Sequence, residues 1–507
     1  MACPLALLLC AGGAGAGAAS AGRSASQPAE TLTFGRLGEV AIYRQTPHPR
    51  NVVLFFSGDG GWNKGVVDMA RTLSGMDAVV VGINLPRYVK KLAATAEACS
   101  YPASDLELLS KYVQKKLGFP EYVPPVLVGY SSGATLAYAA LVQAPPNTFR
   151  GAISMGFCPD LPLQRPLCAG HGLTWGPGPK GKGYSFKPAT TLEQPWIAFQ
   201  GEADQVCFPK EVEAYARQVK NAETVMLPKV GHGFSVPANW EPQFKQAFAR
   251  LAVPEQGGAA GARTAAPRAP AAAEAPATAP GKQAAAPPGS AAPSVSGLPL
   301  VEIPPKAPGD LLAVIVSGDG GWAGLDREVA KDLSDKGIPV VGLNSLQYFW
   351  TARTPEGAAA DLERIVRHYM AAWNRRQLLL IGYSLGADVL PFMADRLPPD
   401  LLGQVRLIAL MGPGRMASFE FHLSDWLGGS GGDRPVLPEV AKLRGKPLLC
   451  LYGDQERDSL CTQLGDLGKA VAFHGKHHLG GDYGTVAERI LQEVQPAAAR
   501  NRPGGRR

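Results

Sequence analysis

Two pentapeptides place a serine where it could act as a nucleophile: Gly129-Tyr130-Ser131-Ser132-Gly133 and Gly382-Tyr383-Ser384-Leu385-Gly386. A serine hydroxyl becomes reactive only beside a base that takes its proton, and that base must be oriented by a carboxylate. Gly-x-Ser-x-Gly at a strand-to-helix turn lifts the serine above a sheet, the glycines relieving the crowding of so sharp a bend. Here each copy follows an apolar run, Val126-Leu127-Val128 or Leu379-Leu380-Ile381, and precedes a helix-compatible one. If the partners follow in the order acid then histidine, the first copy takes Asp204 and His232, from Gly201-Glu202-Ala203-Asp204 and Gly231-His232-Gly233-Phe234. For the second copy, Asp458-Ser459-Leu460-Cys461 aligns with Asp204-Gln205-Val206-Cys207 and selects Asp458 over Asp454. In Gly475-Lys476-His477-His478-Leu479 the apolar residue two places on selects His477, with His478 as the alternative.

Upstream of each pentapeptide stands the same hexapeptide, Ser57-Gly58-Asp59-Gly60-Gly61-Trp62 and Ser317-Gly318-Asp319-Gly320-Gly321-Trp322. Its glycines would let backbone approach a reacting carbonyl, so Gly58, Asp59 and Ser132 in one copy, and Gly318, Asp319 and Leu385 in the other, are candidates for the oxyanion site. Asp59 and Asp319 either tie down this loop or receive a cationic group of a substrate. Trp62 and Trp322 read as core anchors for the helix that follows.

The hexapeptides are offset by 260 residues, Gly82-Ile83-Asn84 and Gly342-Leu343-Asn344 by 260, Met155-Gly156 and Met411-Gly412 by 256, and the serines by 253. A slowly falling offset with unbroken order marks the duplication of a whole domain rather than a solenoid. The 507 residues suit two domains. Composition sets the boundaries: a first domain over 30–252, an Ala/Pro-rich linker over 253–298 lacking the apolar bulk to fold, a second domain over 299–496 and a basic tail over 497–507.

Continuous apolar runs such as Val52–Phe56, Ala78–Ile83, Leu311–Val316 and Leu378–Ile381 suit strands buried on both faces of a parallel sheet, and Val405–Leu410 repeats the pattern around Arg406. Helical stretches such as Asp105–Lys116 alternate with them, so the expected class is α/β: two tandem α/β-hydrolase-like domains.

The formal charge of +7 is modest and forms no long basic run, which argues against nucleic acid as a partner. Residues 1–21 combine a short Leu-rich run with Ala19-Ser20-Ala21 and read as an export signal, although no basic residue precedes the apolar run. Export would favour disulfides among Cys99, Cys158, Cys168 and Cys207, and between Cys450 and Cys461, without the sequence dictating the pairing. No metal-ligand spacing or dinucleotide-type glycine loop stands out, so no cofactor is expected.

Ser-Gly-Asp-Gly-Gly-Trp, Gly-Tyr-Ser-x-Gly-Ala, Tyr-Gly-x-x-Glu-x-Asp-Ser-x-Cys, the closing His-His, Phe419-Glu420-Phe421-His422 and Trp426-Leu427-Gly428 together resemble the VirJ/AcvB family of bacterial virulence-associated proteins. The resemblance spans both domains, as in the long AcvB type, whereas the short VirJ type is similar to the second domain alone. It implies a periplasmic hydrolase of lysyl-phosphatidylglycerol acting at the membrane surface, with Ser384, Asp458 and His477 as its machinery. Glu420, His422 and Asp425 are then candidates to receive the substrate. Two other readings stay open at this point: a binding protein assisting export or type IV secretion on a hydrolase scaffold, with exported or secretion-system proteins as partners, and a carboxylesterase of other specificity.

Overall fold

The computed structural model describes residues 30–94, 98–253, 293–322, 324–421 and 432–494. The expected export signal, the linker from 254 to 292 and the basic tail lie outside them, as do His422 and Asp425.

The first domain is built on strands β1 (Glu30–Phe34), β2 (Gly38–Tyr43), β3 (Asn51–Phe56), β4 (Ala78–Ile83), β5 (Val126–Tyr130), β6 (Gly151–Met155), β10 (Trp196–Gly201) and β11 (Ala222–Leu227). They form one sheet in the order β1-β2-β4-β3-β5-β6-β10-β11, parallel from β4 onward, with β1 and β2 antiparallel at the edge. Between β6 and β10 lies a small antiparallel sheet of β7 (Asp160–Leu161), β8 (Trp175–Pro177) and β9 (Tyr184–Phe186). Every residue of β3 and β4 is buried, as continuous apolar runs require when helices cover both faces.

The second domain repeats the plan with β12 (Leu300–Ile303), β13 (Leu311–Val316), β14 (Val340–Leu343), β15 (Gln377–Tyr383), β16 (Val405–Met411), β19 (Leu448–Gly453) and β20 (Lys469–Phe473), in the order β12-β14-β13-β15-β16-β19-β20. Among the described residues it shows no counterpart of β1, and it carries a short ribbon of β17 (Met416–Ala417) and β18 (Arg434–Pro435). This is the α/β-hydrolase fold, twice. Residues 293–298, counted with the linker on composition, belong to this domain. Val295 and Leu298 pack on its core, and Arg364 donates to the Ser294 carbonyl at 2.7 Å.

The domains meet through the helix Pro102–Lys116 of the first and the segment around Trp350 of the second. Trp350 donates its indole N–H to the Phe119 carbonyl at 2.8 Å and packs with Tyr122, Leu346 and Phe421 in a buried cluster. Lys115 donates to the Trp350 carbonyl at 2.5 Å and pairs with Glu420 at 3.3 Å. Lys111, fully buried here, pairs with Glu107 at 2.9 Å and lies 5.6 Å from the centre of the Phe421 ring. The Gly320-Gly321-Trp322 turn of the second domain faces Glu107, Tyr122 and Asn147 across the same seam.

Disulfides join Cys99 to Cys168, Cys158 to Cys207, and Cys450 to Cys461. The second of these ties the loop after β6 to the loop after β10, which carries Asp204. The third ties β19 to the loop that follows it. Among the described residues no helix is long and apolar enough to cross a membrane.

Candidate active sites

Both serines sit at the turn between a central strand and the next helix, Ser131 between β5 and Ser132–Gln143, Ser384 between β15 and Leu385–Ala394. Their φ/ψ values, 55°/−127° and 52°/−121°, lie where a side chain is strained, and such strain is kept where the surroundings over-determine it. The flanking glycines are there for space. A Cβ at Gly129 would come within 2.1 Å of the Gly133 carbonyl oxygen, and one at Gly386 within 2.0 Å of the Val316 carbonyl oxygen. The serine N–H groups bond across to the ends of the neighbouring strands, Ser131 to the Met155 carbonyl at 2.8 Å and Ser384 to that of Met411 at 2.9 Å.

In the first domain Ser131 Oγ lies 2.9 Å from His232 Nε2, and His232 Nδ1 lies 2.9 Å from Asp204 Oδ2. The buried Asp204 also accepts N–H bonds from Val206 at 2.8 Å and Cys207 at 3.0 Å. Burial alone would raise this carboxyl's pKa. The hydrogen bonds from His232, Cys207 and Val206 outweigh it and hold the value below that of an ordinary aspartate. Cys207 Sγ lies beside Asp204 and His232 but is already bound to Cys158.

In the second domain Ser384 Oγ lies 2.8 Å from His477 Nε2, settling the choice between the paired histidines. His478 instead places Nδ1 2.8 Å from the Tyr383 hydroxyl. The acid beside His477 is Glu456, whose Oε1 lies 2.5 Å from Nδ1, while its Oε2 accepts the Gly453 N–H at 3.1 Å. Asp458, expected in that place, is 95 % exposed and pairs loosely with Arg415 at 3.8 Å. Alignment on the cysteines misplaced the acid because Cys207 and Cys461 bond to different elements, the loop after β6 and β19. Counting from the glycine that closes the strand finds it: Asp204 stands three residues after Gly201, and Glu456 three after Gly453. Burial, opposed by hydrogen bonds from His477 and the Gly453 N–H, leaves the Glu456 pKa below the usual glutamate value.

The repeated landmarks have structural meanings. Ser57 and Ser317 accept the N–H of Leu85 and Ser345 at 3.0 and 2.9 Å, fastening the hexapeptide to the helix after β4 or β14. Gly58 and Gly318 lie against the two serines, so that an added Cβ would be 3.1 and 3.4 Å from Cβ of Ser131 and Ser384. Gly61 and Gly321 turn the chain with φ near the left-handed region, +72° and +80°. Trp62 and Trp322 lie on Gly82 and Gly342, where a Cβ would overlap the indole at 2.1 and 2.2 Å. Gly156 and Gly412 leave room for the imidazoles of His232 and His477, 3.2 and 3.1 Å from where a Cβ would stand. Asp59 accepts the Ser132 hydroxyl at 2.7 Å, the loop-tying role, while the residue at the matching position of the second site, Leu385, carries no hydroxyl.

Two further residues change the picture of the second site. Glu420, a candidate for binding substrate, is held at the domain seam by Lys115. Asp388, which no motif flagged, sits one helical turn beyond Ser384 and accepts the Gly414 N–H at 2.6 Å. Burial, with the charges of Asp319 and Glu456 adding to it, pushes its pKa well above the ordinary value against the opposing Gly414 bond. The only sequence signal for it is an acidic residue at i+4 on the helix after the nucleophile.

The family model described as bacterial virulence protein (VirJ) matches residues 50–155 and 310–498, more than half of the chain and parts of both domains. The protein belongs to the VirJ family. A comparison with curated proteins finds no match. Among solved structures, Est1E from Butyrivibrio proteoclasticus is 17 % identical over 40 % of this chain and 97 % of its own, with a TM-score of 0.31. A serine hydrolase homologue from Coxiella burnetii is 18 % identical over 44 % and 97 %, TM-score 0.30. Propionate-bound esterase Est2 from Thermogutta terrifontis is 18 % identical over 45 % and 96 %, TM-score 0.31. The fold assignment rests on the strand order and turn geometry above.

Each series of serine, histidine and carboxylate is arranged as acyl transfer needs it. The imidazole reaches the hydroxyl through Nε2, and a carboxylate on Nδ1 fixes the tautomer with the basic nitrogen toward the serine.

Proposed function

We propose that this protein is a periplasmic serine esterase that hydrolyses the aminoacyl ester of lysyl-phosphatidylglycerol, releasing lysine and phosphatidylglycerol. The observation that carries the reading is the series Ser384–His477–Glu456, with contacts of 2.8 and 2.5 Å, in a chain of the VirJ family. Ser384 Oγ attacks the ester carbonyl as His477 Nε2 takes its proton. Backbone N–H groups of the Gly318-Asp319 turn and of Leu385 face the developing oxyanion. The tetrahedral intermediate expels phosphatidylglycerol, whose alkoxide takes the proton from His477, and leaves lysine esterified to Ser384. Water, deprotonated by the same imidazole, then cleaves the acyl-enzyme. Glu456 stays ionised throughout and stabilises the imidazolium.

Purified protein incubated with lysyl-phosphatidylglycerol is expected to release lysine. Ser384→Ala should abolish the release, and Ser131→Ala should retain it. No release by the wild type, or equal release by the double variant Ser131→Ala/Ser384→Ala, refutes the reading.

A further inference from the structure

Large hydrophobic side chains left exposed among the described residues are Val206 at 62 %, Phe208 at 54 %, Val236 at 53 % and Met416 at 39 %. Single exposed apolar residues need no explanation, but the first three share two adjoining loops of one site. Val206 and Phe208 follow Asp204 by two and four residues, Val236 follows His232 by four, and the loops are joined by the 2.9 Å contact between Asp204 and His232.

Their exposure is built into the loops. Asp204 accepts the N–H groups of Val206 and Cys207, and Cys207 is bonded to Cys158, so this backbone is held at both the carboxylate and the sulfur. The base loop is held by buried Phe234 and Trp240, whose indole donates to the Phe234 carbonyl at 2.8 Å. Between these anchors Gly233, Ser235, Val236, Pro237 and Ala238 are exposed and uncharged. Exposed Lys210 and Lys229 flank the tips, with Glu202 and Glu211 beside them. The matching loops of the second site expose charge instead: Asp454, Arg457, Asp458, Lys476 and Asp482.

We propose that Val206, Phe208 and Val236 are the tips with which the first domain docks on a phospholipid leaflet, turning the mouth of the Ser131 site toward the lipid. Uncharged apolar tips enter the acyl boundary, where burial is favourable. Lys210 and Lys229 stay at headgroup depth, balanced locally by Glu202 and Glu211, and the attraction to an anionic surface comes from the net charge of +7 of the whole chain. A leaflet fits better than a dissolved ester because all three side chains are more than half exposed instead of being packed into the site. The surface rests on the lipid-ester reading above only for its choice of a leaflet: it brings the chain to the membrane through the first domain, whereas the ester chemistry proposed above is that of Ser384.

The test uses the full chain and vesicles of phosphatidylglycerol with phosphatidylcholine, free of aminoacyl lipid, so that binding is read apart from catalysis. Wild type should sediment with the vesicles, and Val206→Ser/Phe208→Ser/Val236→Ser should partition at least about tenfold more weakly at an unchanged melting temperature. Phe208→Trp gives a readout that survives misfolding of the triple variant: its fluorescence should shift to the blue on adding vesicles. Wild type left in the supernatant, equal sedimentation of the triple variant, or no shift for Phe208→Trp overturns the proposal. So does self-association of the wild type that the triple variant loses without vesicle binding, which would make a second copy of the chain the occupant. Failure to release lysine from detergent-dispersed lysyl-phosphatidylglycerol, with vesicle binding intact, would sink the substrate and leave the docking surface standing.

Discussion

Glu456 holds the imidazole of His477, with Oε1 2.5 Å from Nδ1, although an aspartate two residues on aligns with the acid of the first site. The longer side chain reaches the same nitrogen that Asp204 reaches on His232 at 2.9 Å. In the Ser131→Ala background, Glu456→Gln should therefore lower kcat by about 10⁴-fold through loss of the correct tautomer. Asp458→Asn should change it by less than about threefold, since an exposed pair contributes little. Steady-state kinetics on an aminoacyl ester measure both.

The adjacent histidines should separate as cleanly. His477→Ala in that background removes the base and is expected to cost about 10⁴-fold or more in kcat. His478→Ala loses only a hydrogen bond to Tyr383 and should cost less than about tenfold. A fluorophosphonate probe read by mass spectrometry would report the same ranking, with labelling of Ser384 lost only in His477→Ala.

Asp388 supplies a prediction about pH. Its pKa is raised in the fold, so the folded state holds a proton that the unfolded chain releases above about pH 4. Stability from this group is complete below that pH and declines as pH rises toward the folded pKa. Asp388→Asn keeps an acceptor for the Gly414 N–H without the charge, so it should melt higher than wild type at pH 8 and lose the advantage near pH 4. Thermal melts across that range measure the crossover.

Asp204 carries the opposite sign. Its pKa is depressed in the fold, so its contribution is present above the unfolded aspartate value and lost as pH falls through the folded one. The gap in melting temperature between wild type and Asp204→Asn should narrow as the pH is lowered from about 6 to about 3.

The disulfide between Cys158 and Cys207 closes a loop with a sequence separation of 49 and fixes the backbone on which Asp204 depends. Cys158→Ser/Cys207→Ser should lose about 2–4 kcal/mol of stability, read by denaturant titration. Labelling of Ser131 by the probe should fall, while labelling of Ser384 should hold.

Much of the site could be read from local residue order because its geometry is made locally. A serine with φ near 55° between a strand and a helix needs glycines two places either side, and Gly129, Gly133, Gly382 and Gly386 announce it. Strands buried on both faces must be continuously apolar, so β3, β4 and β13 were visible as runs. The duplicated hexapeptide was visible as a repeat, but its reasons, an indole lying on Gly82 or Gly342 and a glycine against each nucleophile, join segments far apart in the chain.

Residue order by itself thus determined the two α/β domains and marked both serines and the first-site acid and base as candidates, since each follows from spacing along one stretch of chain. The tertiary structure alone decided between Glu456 and Asp458 and between His477 and His478, paired the cysteines, drew Glu420 to Lys115 at the domain seam and set the half-buried Asp388 against the Gly414 N–H. The choice of Glu456, of His477 and of the Lys115–Glu420 pair turns on contacts of 2.5 to 3.3 Å between residues on different segments of the chain. They depend on how two folded segments face each other, and a linear order of residues does not contain that facing.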